Sequence, residues 1–145
     1  MRSLLHDQVR AFVGVPYRER GADPDAGWDC FGLVWWMRTH LLGDEGLDLF
    51  LTARAPDRQR LDRPARLRAD SQALAHGRAQ GRPWRRVSRQ PGAVVLFTIG
   101  GQACHVGLVT RHHDFVHVRQ GAETHMSNLN QAEWLRRVEG FYVPA

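Results

Sequence analysis

Four short runs in the last third of the chain, "AVVLF", "HVGLVT", "DFVHVRQ" and "GFYVP", constrain the fold more than any other feature. Each is rich in β-branched and aromatic residues and is bounded by glycine, proline or polar turns, which is the pattern of strands. Strands gathered after the helical part of the chain predict an antiparallel sheet. One apolar face of such a sheet must be covered, and the first third of the chain supplies the cover. Residues 30–42, "CFGLVWWMRTHLL", fit a helix with Asp29 as N-cap and Gly43 as stop, placing Cys30, Val34, Met37 and Leu41 on one face. "SLLHDQVRAFVG" predicts a shorter amphipathic helix capped by Ser3 and ending near Gly14. "VPYRERGADPDAG" reads as loop, and a helix over "NQAEWLRRVE" precedes the last strand. The expectation is a single α+β domain over residues 1–145, helices first and sheet afterwards.

Composition narrows the class. A chain of 145 residues with 43% hydrophobic content builds one ordinary core. Two cysteines are too few for a disulfide framework and are expected to remain thiols. The first residues lack the unbroken apolar stretch of a secretory signal, and no run of eighteen apolar residues occurs, so synthesis in the cytoplasm without membrane insertion is expected. The formal charge is +5 and every basic residue is arginine, which favours an anionic partner without choosing among nucleic acid, membrane surface and cell wall. Residues 44–90 carry eleven arginines and three prolines with little periodicity beyond a short helical stretch, "DSQALAHGRAQ". They read as a long connection or insertion.

Cys30 opens the main predicted helix. A thiol in a first helical turn feels the positive end of the helix dipole, and thiol pKa values of about 8.5 fall to roughly 3.5–7.5 in such sites, especially beside an imidazolium. The backbone N–H groups there also bind an oxyanion. On this stretch alone, packing is the better explanation of a cysteine on an apolar face, so the decision rests on whether a base reaches it. His105 and His117 lie on neighbouring predicted strands, and direct opposition places the centre of the connecting turn on Arg111, with an odd number of turn residues such as three. Both imidazoles then share one sheet face. A two-residue turn at His112 and His113 would separate them. With the odd turn, His105 serves as general base for Cys30 and His117 orients it.

"GVPYRERGADPDAGWDCFGLV", followed in order by "PGAVVLF", "HVGLV" and "FVHV", resembles the NlpC family of cell-wall cysteine peptidases. The resemblance implies a papain-like core and a catalytic triad of Cys30 as nucleophile, His105 as base and His117 as third member. It implies that Tyr17 lies against the site and assists binding or oxyanion stabilisation. Many cell-wall members carry serine directly after the nucleophile where this chain has Phe31; Asp29 remains as a substrate contact or an ordinary helix cap. The implied substrate is a peptidoglycan stem peptide, cut between D-isoglutamate and a diamino acid, with no cofactor. The resemblance is nearest to members encoded in phage tail gene clusters, which implies a virion location and other tail proteins as partners.

Three alternatives compete. In one the fold serves as an idle tail assembly module, and in another as a thiol acyltransferase acting on lipid or amide substrates. A zinc site from Cys30, Cys104 and nearby histidines lacks the usual ligand spacing. Trp84, among the arginines of "RPWRRVSR", is better explained by packing on the core than by nucleic-acid stacking, and Trp35 and Trp36 belong to the buried helix.

Overall fold

The computed structural model describes residues 4–44 and 84–144, and within them the side chains of residues 102–104 are not described. Ser3, the short helical stretch of residues 70–80 and most of the arginine-rich tract therefore lie outside the described residues.

The first helix, α1 (Leu4–Arg10), passes into single turns that end at Gly14, where the backbone has φ of +102°. The expected loop follows, but it folds back on itself as a small hairpin, β1 (Ala22–Asp23) and β2 (Gly27–Trp28). The main helix is α2 (Cys30–Leu41), capped at Asp29 and followed by Gly43 at φ of +74°. These are the boundaries expected from Asp29 and Gly43, to within one residue.

Six antiparallel strands make the sheet: β3 (Trp84–Val87), β4 (Val94–Ile99), β5 (Gln102–Val109), β6 (Asp114–His117), β7 (His125–Asn128) and β8 (Val138–Pro144). Their spatial order is β3-β8-β4-β5-β6-β7. Two strands were not expected. β3 lies inside the tract read as a connection to about residue 90, and it pairs with β8 so that Trp84 opposes Pro144. β7 comes from the polar "HMSN". The helix expected over residues 130–139 shortens to α3 (Ala132–Leu135), because Val138 and Glu139 already belong to β8.

Alternation along the strands divides the core. Leu96, Val106, Leu108 and Val116 pack with Leu33, Val34 and Met37 of α2, and Trp84 and Tyr142 join them. Val95, Phe97, Val109 and Phe115 pack with Leu129 and Trp134 of α3. Trp84 is buried, as the packing explanation requires, while Trp35 and Trp36 are half-buried against the first cluster. Trp36 meets Phe12 edge to face, with ring centroids 4.9 Å apart.

Beyond β5 the Thr110 N–H donates to the Asp114 carbonyl at 2.9 Å, closing a turn of three residues, Arg111, His112 and His113, and Leu108 opposes Val116 while Val109 opposes Phe115. The odd count holds, but the register is centred on His112 rather than Arg111. His117 therefore lies opposite Gly107, and His105 is its diagonal neighbour on the same face instead of its direct partner.

Candidate active site

The site begins with Asp29. Its backbone is extended, with φ of −88° and ψ of −179°, and its Oδ1 accepts the Gly32 N–H at 2.7 Å, fixing the first turn of α2. The carboxylate is wholly buried, and its Oδ1 is taken up by the helix cap. Cys30 follows as the first helical residue and is 3% exposed. Gly32 explains the glycine two residues after the cysteine: a Cβ there would stand 1.9 Å from the Gly21 carbonyl oxygen. The loop thus docks backbone against backbone on the start of α2.

That loop carries Tyr17, which is half-buried and bridged to Trp28. The Tyr17 N–H donates to the Ala122 carbonyl at 3.0 Å, and the Arg18 N–H donates to the Trp28 carbonyl at 3.0 Å. Trp28 Nε1 donates to Thr124 Oγ1 at 2.7 Å, and that hydroxyl donates to the Val15 carbonyl at 2.9 Å. The Tyr17 loop is thereby held between the entrance to α2 and the segment leading into β7.

The histidines come from β5 and β6, both of which pack against α2. His105 is 5% exposed and His117 is fully buried. His105 Nε2 and His117 Nδ1 are 2.9 Å apart, and His117 Nε2 lies 2.9 Å from Ser127 Oγ. Aromatic rings fix both imidazoles. His105 stacks on Phe97 with centroids 5.7 Å apart, and the edge of Trp134 meets His117 at 4.8 Å. Burial holds His117 far below the ordinary imidazole range, and the neighbouring His105, His125 and Arg119 push it the same way. His117 is therefore neutral at working pH.

Gly107 completes the "HVG" motif for a steric reason. A Cβ on it would stand 2.8 Å from Phe115 Cδ2 and 3.4 Å from His117 Cβ, so only glycine leaves room for the rings on β6.

Of the residues singled out by sequence, the structure joins His105 to His117 directly and places Cys30 at the start of the helix packed on their strands. Ser127 was missed, because nothing in "HMSN" announces a strand. Among the described residues no group of three potential metal ligands converges, and the Cys104 side chain on which a zinc site would depend lies outside them.

No curated protein matches the chain. Its fold is shared with solved structures. One is the NlpC/p60 domain of the peptidoglycan hydrolase SagA, at 16% identity and a TM-score of 0.56, covering 96% of this chain and 94% of that one. Another is the P60 domain of an antigen from Mycobacterium avium subspecies paratuberculosis, at 14% identity and a TM-score of 0.54, covering 96% and 90%. A third is a lipoprotein-like NLP/P60 protein from Staphylococcus aureus, at 19% identity and a TM-score of 0.56, of which this chain spans only 39%. These likenesses establish the papain-like α+β fold. The profile of the NlpC/P60 family matches residues 14–143, a span that takes in Cys30, His105, His117 and all of the sheet but the last residue of β8, and the chain belongs to that family.

Proposed function

We propose that the protein is a cysteine peptidase that hydrolyses peptidoglycan stem peptides, with Cys30 as nucleophile, His105 as general base and His117 as the residue that orients it. The observation that carries this reading is the buried ring-to-ring hydrogen bond of 2.9 Å between His105 and His117, on strands that contact the helix beginning with Cys30. Two imidazoles buried and joined in this way serve no evident packing purpose that an apolar pair would not serve better.

In this mechanism the Cys30 thiol gives its proton to His105 Nδ1, and Sγ attacks the amide carbonyl. Backbone N–H groups at the start of α2 receive the oxyanion. Collapse of the adduct breaks the C–N bond, and the leaving amine takes the proton from His105. Water, deprotonated by the same ring, then hydrolyses the thioester and restores the thiol. The bond between D-isoglutamate and a diamino acid is the target suggested by family resemblance. The name of SagA, a peptidoglycan hydrolase, supports the polymer. The phage-tail setting is part of the proposal and rests on the sequence resemblance.

The test is mass spectrometry of purified peptidoglycan after incubation with the protein and with Cys30→Ala. New stem-peptide fragments are expected from the wild type alone. No fragments from either protein, with reductant present and across several wall chemistries, would favour the idle tail module, and a lipid acyl-enzyme would favour the acyltransferase.

A further inference from the structure

The hydrogen bonds at His117 continue past the triad. Leu108 opposes Val116, which sets Gly107 opposite His117 and His105 one diagonal step away. On the other side, His117 opposes His125 and Phe115 opposes Ser127, so Ser127 is one diagonal step away in the opposite sense. His105, His117 and Ser127 thus lie on one straight diagonal across three neighbouring strands, linked at 2.9 Å and again at 2.9 Å.

We propose that Ser127 is a positioning residue whose Oγ accepts a hydrogen bond from His117 Nε2–H, and so holds His117 in the tautomer that presents its Nδ1 lone pair to His105. The proposal rests on the catalytic reading of His105 given above.

A neutral imidazole carries one N–H and one lone pair, so the line admits two proton arrangements. In the first, His117 Nε2–H donates to Ser127, and His117 Nδ1 accepts from His105 Nε2–H. His105 then has its lone pair on Nδ1, the atom that must take the thiol proton. When it does, the imidazolium keeps its Nε2–H on the acceptor already in place. In the second arrangement the Ser127 hydroxyl donates to His117 Nε2, His117 Nδ1–H donates to His105 Nε2, and the His105 proton sits on Nδ1. That ring has nothing with which to accept from a thiol, which is the wrong-tautomer failure known for triads.

The surroundings of His117 favour a neutral ring in a fixed place. His105, His125 and Arg119 all disfavour a cation there. The His125 ring lies tilted against it with centroids 4.4 Å apart, while the His125 Nδ1–H donates to the Glu123 carbonyl at 2.9 Å. A carboxylate in the position of Ser127 would fix the tautomer more strongly but bring a buried charge; a hydroxyl does so without one.

The test combines ring-nitrogen NMR of histidine-labelled full-length protein with kinetics on wall peptides. The expected spectrum shows His117 protonated at Nε2 in the resting protein. Ser127→Ala is expected to shift His117 toward a mixture of tautomers and to lower kcat about tenfold with little change in KM. Ser127→Thr, which restores a hydroxyl on a residue suited to strands, is expected to recover kcat to within about twofold. A wild-type His117 protonated at Nδ1, or a Ser127→Ala protein with unchanged spectrum and kcat, would overturn the proposal. If the wild type cleaves no wall peptide, the peptidase reading fails, and the nitrogen spectrum still decides the direction of the Ser127 bond.

Discussion

His105 Nε2 meets His117 Nδ1 at 2.9 Å across a register in which the two residues are diagonal rather than opposed. The contact ties the orientation of one ring to the other, so the two histidines should respond differently to substitution. His105→Ala removes the proposed base and is expected to lower kcat by about 10³-fold or more, whereas His117→Asn keeps a neutral acceptor and is expected to cost about 10- to 100-fold. A readout independent of turnover is alkylation of Cys30 by iodoacetamide at neutral pH. Its rate should fall sharply in His105→Ala and only modestly in His117→Asn; equal rates in all three proteins would separate the thiol from these rings.

The same burial makes the fold sensitive to acid. His117 is held below its ordinary value of 6.5, first by burial and then by His105, His125 and Arg119. His6, buried and bonded through Nδ1 to Thr110 Oγ1 at 2.9 Å, is lowered too, again first by burial. An unfolded chain binds these protons near pH 6.5, and the folded chain binds them only at lower pH, far lower for His117. Stability is therefore level above that pH and falls below it, by up to about 1.4 kcal/mol per pH unit for His117, with His6 adding in the same direction. Thermal unfolding followed from about pH 8 to about pH 5 should show a midpoint that drops only in the acid half, with a shallower fall in His117→Asn. A midpoint that rises on acidification would contradict the buried neutral state.

What the sequence made legible follows from periodicity. Asp29, Gly43 and the apolar positions between them set α2 almost to the residue, and the β-branched runs set β4, β5, β6 and β8. The spacing from His105 to His117 gave the shared face, because strand parity survives a shift of register by a whole pair. It did not give the register, since "TRHHD" accommodates a three-residue turn centred on either Arg111 or His112 and only packing of Val116 and Phe115 chooses between them. β3 and β7 were hidden for a different reason. Each is an edge strand, so "WRRV" and "HMSN" need few apolar residues, and their pairing partners β8 and β6 supply the information. Ser127 was hidden with β7.

Gly32 should be the least replaceable glycine near the site. A Cβ there would approach the Gly21 carbonyl oxygen to 1.9 Å, and backbone on both sides leaves no flexible side chain to yield. Gly32→Ala is expected to destabilise the fold by about 3 kcal/mol, read as a lower urea midpoint, and to displace the Tyr17 loop. Gly121→Asn provides the contrast: its φ of +81° suits asparagine and nothing lies within 4 Å of its Cβ position, so the midpoint should move little. Equal tolerance at the two positions would mean that the loop does not dock on α2 as described.

Asp29 separates two roles that adjacent sequence cannot. As a cap, its Oδ1 takes the Gly32 N–H at 2.7 Å inside the protein, where no water replaces a lost acceptor. Asp29→Ala should then cost about 2 kcal/mol, the cap itself plus the stranded donor, and should slow catalysis by loosening the turn that presents Cys30. Asparagine offers the same acceptor oxygen, so Asp29→Asn should keep both the unfolding midpoint and KM close to wild type. A carboxylate that instead held the amine of a stem peptide would show the reverse pattern, with Asp29→Asn folding normally while KM rises about tenfold or more through loss of a charge-assisted bond. The bond from the Gly32 N–H to Oδ1 is the reason to expect the first outcome. Measuring stability and KM on these two variants together decides it, because capping follows the oxygen and substrate binding follows the charge.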